Sequence, residues 1–155
     1  MSLGGGGGQG QLQELAERIQ ALEEEKAAVE TEIEGLQTKK REIDEAMEAI
    51  EELESGSTVQ VPLGGGAYVR AEVADIDEII VTLGGDYAAE RDRDGAVDIL
   101  ESKQETLDDR ISELRSEISE IESETEQLEQ QAQQMQQQAL QQQMQQQQGL
   151  GDQDE

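Results

Sequence analysis

Cysteine, histidine, phenylalanine and tryptophan are absent from this chain of 155 residues, and two tyrosines are its only aromatic side chains. The absence of cysteine and histidine excludes disulfides, thiolate and imidazole metal ligands, cysteine or histidine nucleophiles and the usual proton shuttle near neutral pH. Only 34% of the residues are hydrophobic, so a large core within a single chain is not expected. Most enzyme mechanisms need side chains that this sequence does not contain, so we expect neither catalysis nor a cofactor.

Basic residues are also scarce: 11 stand against 38 acidic ones, and the formal net charge is −27. A charge of this size repels nucleic acid phosphates and anionic membrane surfaces, so we expect neither as a partner. It also suggests a salt-rich, halophilic cytosol, where screening within a few Å removes most self-repulsion. The chain starts without a signal-like segment and has no apolar run near the ~20 residues of a membrane span, so we expect a cytoplasmic location.

Apolar residues recur at steps of three and four in two segments, from Leu12 to Ile50 and from Val97 to Met135. This spacing is typical of coiled-coil helices. Two narrow apolar stripes of that length do not remain exposed to water, so we predict that the helices pack on each other. The predicted fold class is mainly α: a long antiparallel coiled-coil hairpin, which brings the first and last segments of the chain together at one end.

Helix boundaries are predicted from end signals. Ser55 and Gly56 supply a stop, because glycine adopts the left-handed conformation that closes helix C-termini. Asp94 is predicted to cap the start of the second helix. The predicted segments are a flexible Gly-rich N-terminus (1–10), an N-terminal coiled-coil helix (11–55), a β-hairpin connection (57–91), a C-terminal coiled-coil helix (94–144) and a disordered Gln-rich, acidic tail (145–155).

The connection between the helices has a different pattern. Apolar and polar residues alternate with period two on both sides of residues 64–66 and again around residues 84–86, which predicts two β-hairpins. Two small hairpins without a covering helix cannot bury their own faces and leave edges open to other strands. We therefore predict an obligate oligomer in which the hairpins form an intersubunit β-barrel. The predicted oligomerisation residues are Val59, Val61, Leu63, Tyr68, Val69, Val73, Ile79, Ile80, Val81, Leu83 and Tyr87.

Both hairpins carry a family resemblance. Residues 61–71 read VPLGGGAYVRA and residues 80–88 read IVTLGGDYA, and both are similar to hairpin sequences of the α-class subunits of archaeal prefoldin. The order helix, two hairpins, helix also resembles that class, since the β class is known for one hairpin. The resemblance implies an ATP-independent chaperone subunit in a heterohexamer of two α and four β prefoldin subunits. It also implies that unfolded client proteins are bound at the coiled-coil tips and passed to a group II chaperonin.

Charge is missing near both ends of the chain. No charged side chain precedes Glu14, and none lies between Glu129 and Asp152. Apolar groups in neutral, glutamine-rich surroundings suit a site for many unrelated unfolded clients, because no buried charge has to be desolvated. The predicted client-binding residues are Leu12, Leu15, Ile19, Leu22, Leu128, Met135, Leu140 and Met144. The alternative is that the glutamines form a disordered low-complexity tail and the leucines merely end the seam.

Residues 90–101 match part of the EF-hand calcium loop pattern. Glu90 stands where the pattern has aspartate, and the preceding residues predict a hairpin rather than the entering helix of an EF-hand. We therefore expect these acidic residues to cap the N-terminus of a helix and not to bind calcium.

Two other functions compete with a chaperone. A coiled-coil scaffold would act only as a spacer or as an oligomerisation element. Charged helix ends would suit that role as well as neutral ones. A coiled-coil factor that inserts into a polymerase channel would carry acidic functional residues at the turn of its helical hairpin, where this sequence predicts β-hairpins. The neutral ends and the hairpins favour the chaperone.

Overall fold

The computed structural model describes the backbone of residues 5–151 and the side chains of residues 8–149. In chain order the elements are α1 (Gly5–Glu52), β1 (Thr58–Gly64), β2 (Ala67–Glu72), β3 (Ile79–Gly84), β4 (Tyr87–Arg91) and α2 (Arg93–Gly151). The predicted class is confirmed: two long helices flank two small antiparallel hairpins.

The helices extend beyond the predicted boundaries at their outer ends. α1 begins at Gly5 rather than at residue 11, and α2 continues to Gly151 through most of the segment predicted to be a disordered tail. Glutamine is a good helix former, and each residue added to an existing helix gains one hydrogen bond. The remaining parts of the predicted terminal segments, residues 1–4 and 152–155, lie outside the described residues.

The start of α2 is capped by Asp92, not by Asp94 as predicted. The Asp92 Oδ1 atom accepts a hydrogen bond of 2.8 Å from the Gly95 backbone N–H. An N-cap carboxylate must lie just before the first helical residue to reach the N–H group three positions on. Since α2 begins at Arg93, Asp94 lies within the first turn, where its charge still favours the positive end of the helix dipole.

The end of α1 is also closed by a side chain from α2. The Arg93 guanidinium donates hydrogen bonds to the carbonyl oxygens of Glu51, at 3.2 Å, and Leu53, at 2.5 Å. Because α1 ends at Glu52, no later helical residue is available to bond to these carbonyls. Gly56 has the expected positive φ, 90°, but it lies beyond the helix end, where its N–H bonds to the Val73 carbonyl at the root of the first hairpin.

Within the described part of the chain, the residues up to 33 and those from 113 onward form one compact unit. Its buried side chains come from both helices and are Leu22, Val29, Ile33, Leu114 and Ile121. Ion pairs join the helices at Arg18–Glu124, 3.1 Å, and at Lys26–Glu122, 3.0 Å. Because the partner number falls as the α1 number rises, the helices run antiparallel within this unit, as predicted.

Residues 34–112 form the second compact unit, which contains both hairpins. Polar side chains at predicted seam positions bond across its helices. Lys40 pairs with Asp108, and the Gln104 amide donates to the Asp44 carboxylate, at 2.6 Å, and to the Lys40 carbonyl, at 3.2 Å. These contacts satisfy polar groups that would otherwise weaken an apolar seam.

The four strands form two separate two-stranded sheets, β1 with β2 and β3 with β4. In hairpin 1, β1 and β2 pair antiparallel with Val61 opposite Val69, and the register shifts between Pro62 and Gly64. In hairpin 2, β3 and β4 pair with Val81 opposite Ala89, and the register shifts between Thr82 and Gly84. Both turns are built on glycines with positive φ, the conformation that tight hairpins require.

Candidate functional site

Seven large apolar side chains are exposed on the two hairpins. Their exposed fractions range from 41% at Val61 to 77% at Tyr87. We call them the hairpin surface: Val61, Leu63, Tyr68, Val69, Ile80, Leu83 and Tyr87. All seven belong to the predicted oligomerisation set. Large apolar side chains exposed in this number are typical of regions that bind other proteins.

Hairpin 1 exposes side chains on both faces of its sheet. The opposed pair Val61 and Val69 lies on one face, and Tyr68, opposite Pro62, lies on the other. All four are exposed, and Val59 near the root is only half-buried. A two-stranded ribbon also leaves backbone N–H and C=O groups unpaired along both outer edges. The hairpin therefore presents apolar side chains and strand edges together.

Hairpin 2 differs, and two predicted oligomerisation residues do not lie on its outer surface. Val81 is 6% exposed and packs with Ala96 and Leu100 of α2, and Ile79 packs against the same cluster. Side chains two positions apart in a strand share a face, and here that face is covered by the chain's own helices. The premise that no helix covers a hairpin is thus wrong for hairpin 2. Ile80, between them on the opposite face, remains 74% exposed.

The second candidate surface is formed by the parts of the helices without charged residues. We call residues 5–13 of α1 and 130–151 of α2 the neutral segments. The Arg18–Glu124 ion pair lies just inside them. Because both helices rise ~1.5 Å per residue, continuing this antiparallel register brings Leu12 alongside the start of the α2 neutral segment.

The predicted client-binding residues differ in exposure. Leu140 and Met144, on the α2 neutral segment, are 60% and 66% exposed. Leu22 is 1% exposed, so its side chain supports helix packing and is not accessible to a client. Five predicted residues are half-buried along the seam: Leu12, Leu15, Ile19, Leu128 and Met135.

Electrostatic contacts fix the helices next to the neutral segments. Lys26 lies at a seam position and reaches Glu122 on α2 and, at 3.9 Å, Glu30 on its own helix. The hydrogen bond to Glu122 and the negative charge of that carboxylate raise the pKa of Lys26 above its ordinary value. Lys26 therefore stays protonated at physiological pH and keeps its charge for the ion pair with Glu122.

The segment with the partial calcium-loop pattern is used differently. Glu90 lies on β4, and residues 93–101 belong to α2. Asp92 between them caps the helix through Gly95. Within the part of the chain that the structure describes, no cluster of three or more acidic, cysteine or histidine side chains is arranged to hold a metal ion.

Sequence reasoning missed two residues of α2 that bond to other elements of the second compact unit. Arg93 was not singled out, although an arginine directly after an aspartate cap is placed to reach the end of a neighbouring helix. Lys103 was missed as well, and its ammonium donates to the Thr82 hydroxyl of β3 at 3.0 Å. Neither contact has a signal in hydrophobic periodicity, because both are polar contacts between residues distant in the sequence.

No helix among residues 5–151 is long and apolar enough to cross a membrane.

Comparison with known proteins defines the class. Residues 22–146 match the prefoldin subunit family. The chain is 63% identical over 104 residues to prefoldin subunit alpha of Haloarcula marismortui, which covers 67% of this chain and 68% of that protein. It is 62% identical over 108 residues to prefoldin subunit alpha of Halorubrum lacusprofundi, covering 70% and 71%.

A solved structure supports the fold independently. The cryo-EM structure of filamentous PFD from Methanocaldococcus jannaschii superposes with a TM-score of 0.51 over 76% of this chain and 93% of that chain, at 24% identity.

The chain belongs to the prefoldin subunit family, whose members are chaperone subunits. Within that family its relatives at high identity are alpha subunits of halophilic archaea. Membership implies an oligomeric complex with other prefoldin subunits, and it confirms the family that the hairpin sequences indicated.

Proposed function

We propose that this chain is a holdase subunit that binds unfolded client proteins at its neutral segments, without ATP. The observation that carries this proposal is the combination of Leu140 and Met144 exposed on a helix with the lack of any charge from residue 130 to residue 151. An unfolded client can cover these side chains without desolvating a carboxylate, which would cost several kcal/mol. The methionine side chain is flexible and adapts to many partner shapes.

Half-buried seam residues extend this proposed surface. Leu12 and Leu15 on α1 and Leu128 and Met135 on α2 keep part of their apolar area in water. Opening of the helix ends by fraying would expose more of that area to a client. Leu22 takes no part, since its side chain is already covered.

The hairpin surface is proposed to join the chain to prefoldin β subunits. Its seven exposed apolar side chains and the open strand edges support the assembly of an intersubunit β-barrel, in a heterohexamer of two α and four β subunits. Several neutral segments would then surround one client. Weak contacts at each would combine, because tethering raises the effective concentration and can increase avidity by ~10²-fold or more.

Client release is proposed to occur by hand-over to a group II chaperonin in the cytoplasm. The sequence has no phosphate-binding loop of the G-x-x-x-x-G-K type, so release is taken to depend on competing binding equilibria. A more tightly binding receiver would be sufficient for transfer.

The test compares two double variants of the full chain, each assembled with its β partner in high salt. Leu140→Ser with Met144→Ser removes the two exposed apolar side chains. Gln141→Ser with Gln145→Ser is the matched control, because it changes exposed neutral positions on the same helix. Aggregation of a denatured test protein is followed by light scattering.

We expect the apolar variant to assemble normally but to require about tenfold more complex for equal protection, since two lost apolar contacts amount to roughly 1.4 kcal/mol or more. The glutamine variant should protect like the parent. If the apolar variant protects equally well, the neutral segments are not the client site and the scaffold function gains support.

A further inference from the structure

The chain contains four methionines and no cysteine. Cysteine thiolates and methionine thioethers are the side chains that peroxides oxidise most readily. Histidine and tryptophan, which are also sensitive to oxidants, are absent too. A reaction with peroxide is therefore directed to methionine in this chain. Met1 lies outside the described residues, which leaves Met47, Met135 and Met144.

These three methionines differ in how far their side chains are covered. Met47 is half-buried and packs against the cluster that Val81 forms with α2. Met135 is half-buried along the seam. Met144 is 66% exposed on the α2 neutral segment. Because the susceptibility of a sulfur group to oxidation follows its exposure, we expect Met144 to react first.

The exposure of Met144 follows from the antiparallel register of the helices. The Arg18–Glu124 ion pair sets this register in the compact unit that holds the neutral segments. Counted outward from that pair, Gly5 at the start of α1 lies level with a residue of α2 that precedes Met144. Met144 therefore lies on a turn of α2 that α1, as described from Gly5, does not reach.

The surroundings of Met144 admit an uncharged oxidant. Leu140 is one helical turn away, at i−4, so the two apolar side chains lie on the same face. Every other position from 141 to 148 is glutamine. Hydrogen peroxide is uncharged and is not repelled by the net charge of −27, whereas an anionic oxidant is repelled.

We propose that Met144 is an oxidation site at which hydrogen peroxide reversibly lowers client binding. The thioether sulfur attacks one oxygen of the peroxide, so an S–O bond forms and the O–O bond breaks. The leaving hydroxide takes the proton of the transferred oxygen and departs as water, which leaves the sulfoxide. Sulfur loses two electrons and the peroxide gains them. A thiol-dependent reductase reverses the change: the sulfoxide oxygen leaves as water while two thiols form a disulfide.

The sulfoxide changes the proposed client site without changing its charge. The S=O group is a strong hydrogen-bond acceptor, and covering it with an apolar client segment leaves that acceptor unsatisfied. This inference rests on the proposed function, because it assigns a regulation to the same site. Assembly should not change, since none of the seven residues of the hairpin surface is a methionine.

Site selectivity is measured first, on the full chain treated alone with hydrogen peroxide in high salt. Peptide mass spectrometry gives the rate of oxygen addition at each methionine. We expect Met144 to react at least about fivefold faster than Met47, with Met135 between them. Circular dichroism verifies that the helix content is unchanged at the dose that converts Met144. Equal rates at Met144 and Met47 would overturn the proposal.

Client protection is measured after the peroxide has been removed with catalase and the oxidised chain has been assembled with untreated β partner. Light scattering follows the aggregation of a denatured test protein. We expect equal protection to require about threefold more complex, because one of two exposed apolar contacts is lost. Methionine sulfoxide reductases for both sulfoxide epimers should restore the untreated value. A loss that persists after this reduction would contradict a reversible site.

Three substitutions separate oxidation at Met144 from oxidation elsewhere. Met144→Leu keeps an apolar side chain without sulfur, so the same dose of peroxide should leave its protection unchanged. Met144→Gln imitates the polarity of the sulfoxide and should protect less well before any treatment. Met47→Leu is the matched control and should respond to peroxide like the parent. An equal loss of protection in oxidised Met144→Leu would assign the effect to another residue.

The double variant Leu140→Ser with Met144→Ser distinguishes this inference from the proposed function. If that variant loses protection but the oxidised parent protects fully, the client site stands and only the oxidation inference fails. If the double variant protects like the parent, the client site fails, and the oxidation inference fails with it.

Discussion

The two hairpins have similar sequences but different environments. Hairpin 1 exposes Val61, Tyr68 and Val69 on both of its faces. Hairpin 2 covers one face, with Val81 packed against Ala96 and Leu100. Period-two patterning alone does not distinguish a hairpin that packs on its own chain from one that awaits a partner.

The difference follows from how each hairpin is connected. Only Asp92 separates β4 from α2, so hairpin 2 cannot move away from the helix that follows it. Hairpin 1 is separated from α1 by residues 53–57, and its root is closed by its own backbone bonds from Gly56 to Val73 and from Val73 to Ser57. A short connection therefore enforces packing, and a longer one with a closed root leaves the hairpin free for other subunits.

The largest expected effect comes from replacing the buried valine of hairpin 2. Val81→Ser removes two methyl contacts and buries a hydroxyl among apolar side chains, so we expect a loss of about 3 kcal/mol in the free energy of unfolding. The measurement is thermal and denaturant unfolding of the full chain by circular dichroism at fixed high salt. Val61→Ser, at the equivalent depth of hairpin 1, should change stability by less than about 0.5 kcal/mol. Equal losses for both variants would refute the contrast between the hairpins.

The second effect concerns assembly and is tested at hairpin 1. Tyr68 is exposed in the free chain, and tyrosines are frequent energetic centres of interfaces. Tyr68→Ser should leave the unfolding of the isolated chain unchanged and weaken binding to partner subunits by roughly 30-fold, or about 2 kcal/mol. Sedimentation equilibrium measures the association, with Gln60→Ser of the same hairpin as the control. A variant that assembles normally would exclude Tyr68 from the interface.

The helices, the hairpins and their order along the chain could be predicted from the sequence. The heptad positions from Leu12 to Ile50 predicted α1, and the glycines at 64–66 and 84–86 predicted both turns, because helix period and positive-φ turns are local properties. The lack of charge between Glu129 and Asp152 could also be seen without a structure.

Tertiary contacts could not be obtained in this way. Ile79 and Val81 alternate with Ile80 as any strand residues do, and only the path of the chain back to α2 decides which face is covered. Leu22 has the same heptad signature as Leu15, yet one is buried and the other half-buried. Such differences depend on how far the partner helix covers each turn, which no local pattern encodes.

A third effect, no larger than the second, tests the junction between the end of α1 and the start of α2. Arg93→Ala removes the hydrogen bonds to the Glu51 and Leu53 carbonyls and should cost about 2 kcal/mol in unfolding free energy, since charged hydrogen bonds exceed neutral ones. Arg93→Lys retains the charge but not the two-pronged geometry, so it should recover only part of that loss. Hydrogen exchange of the amides preceding Ser55 would accelerate in the alanine variant. Full stability in Arg93→Ala would show that α1 needs no closure from α2.

The smallest effect belongs to the Asp92 cap, and a double-mutant cycle can isolate it. Asp92→Ala loses the bond from the Gly95 N–H and should cost about 1 kcal/mol, or ~2–4 °C in Tm, whereas Asp92→Asn should keep most of the cap. Asp94→Ala is the control, because it removes only a charge near the helix dipole.

Gly95 provides the second arm of the cycle. A Cβ at Gly95 would lie 2.9 Å from the Asp92 Oδ1 atom, so Gly95→Ala should destabilise the chain while the cap is present. In the Asp92→Ala background that clash is absent, and only a tight contact of 3.3 Å with the Arg91 Cβ atom remains. Alanine should then stabilise α2 by a few tenths of a kcal/mol, because its helix propensity exceeds that of glycine by up to about 1 kcal/mol. The sign of the Gly95→Ala effect therefore reverses with the cap. The same sign in both backgrounds would mean that the junction between β4 and α2 is held by contacts other than this hydrogen bond.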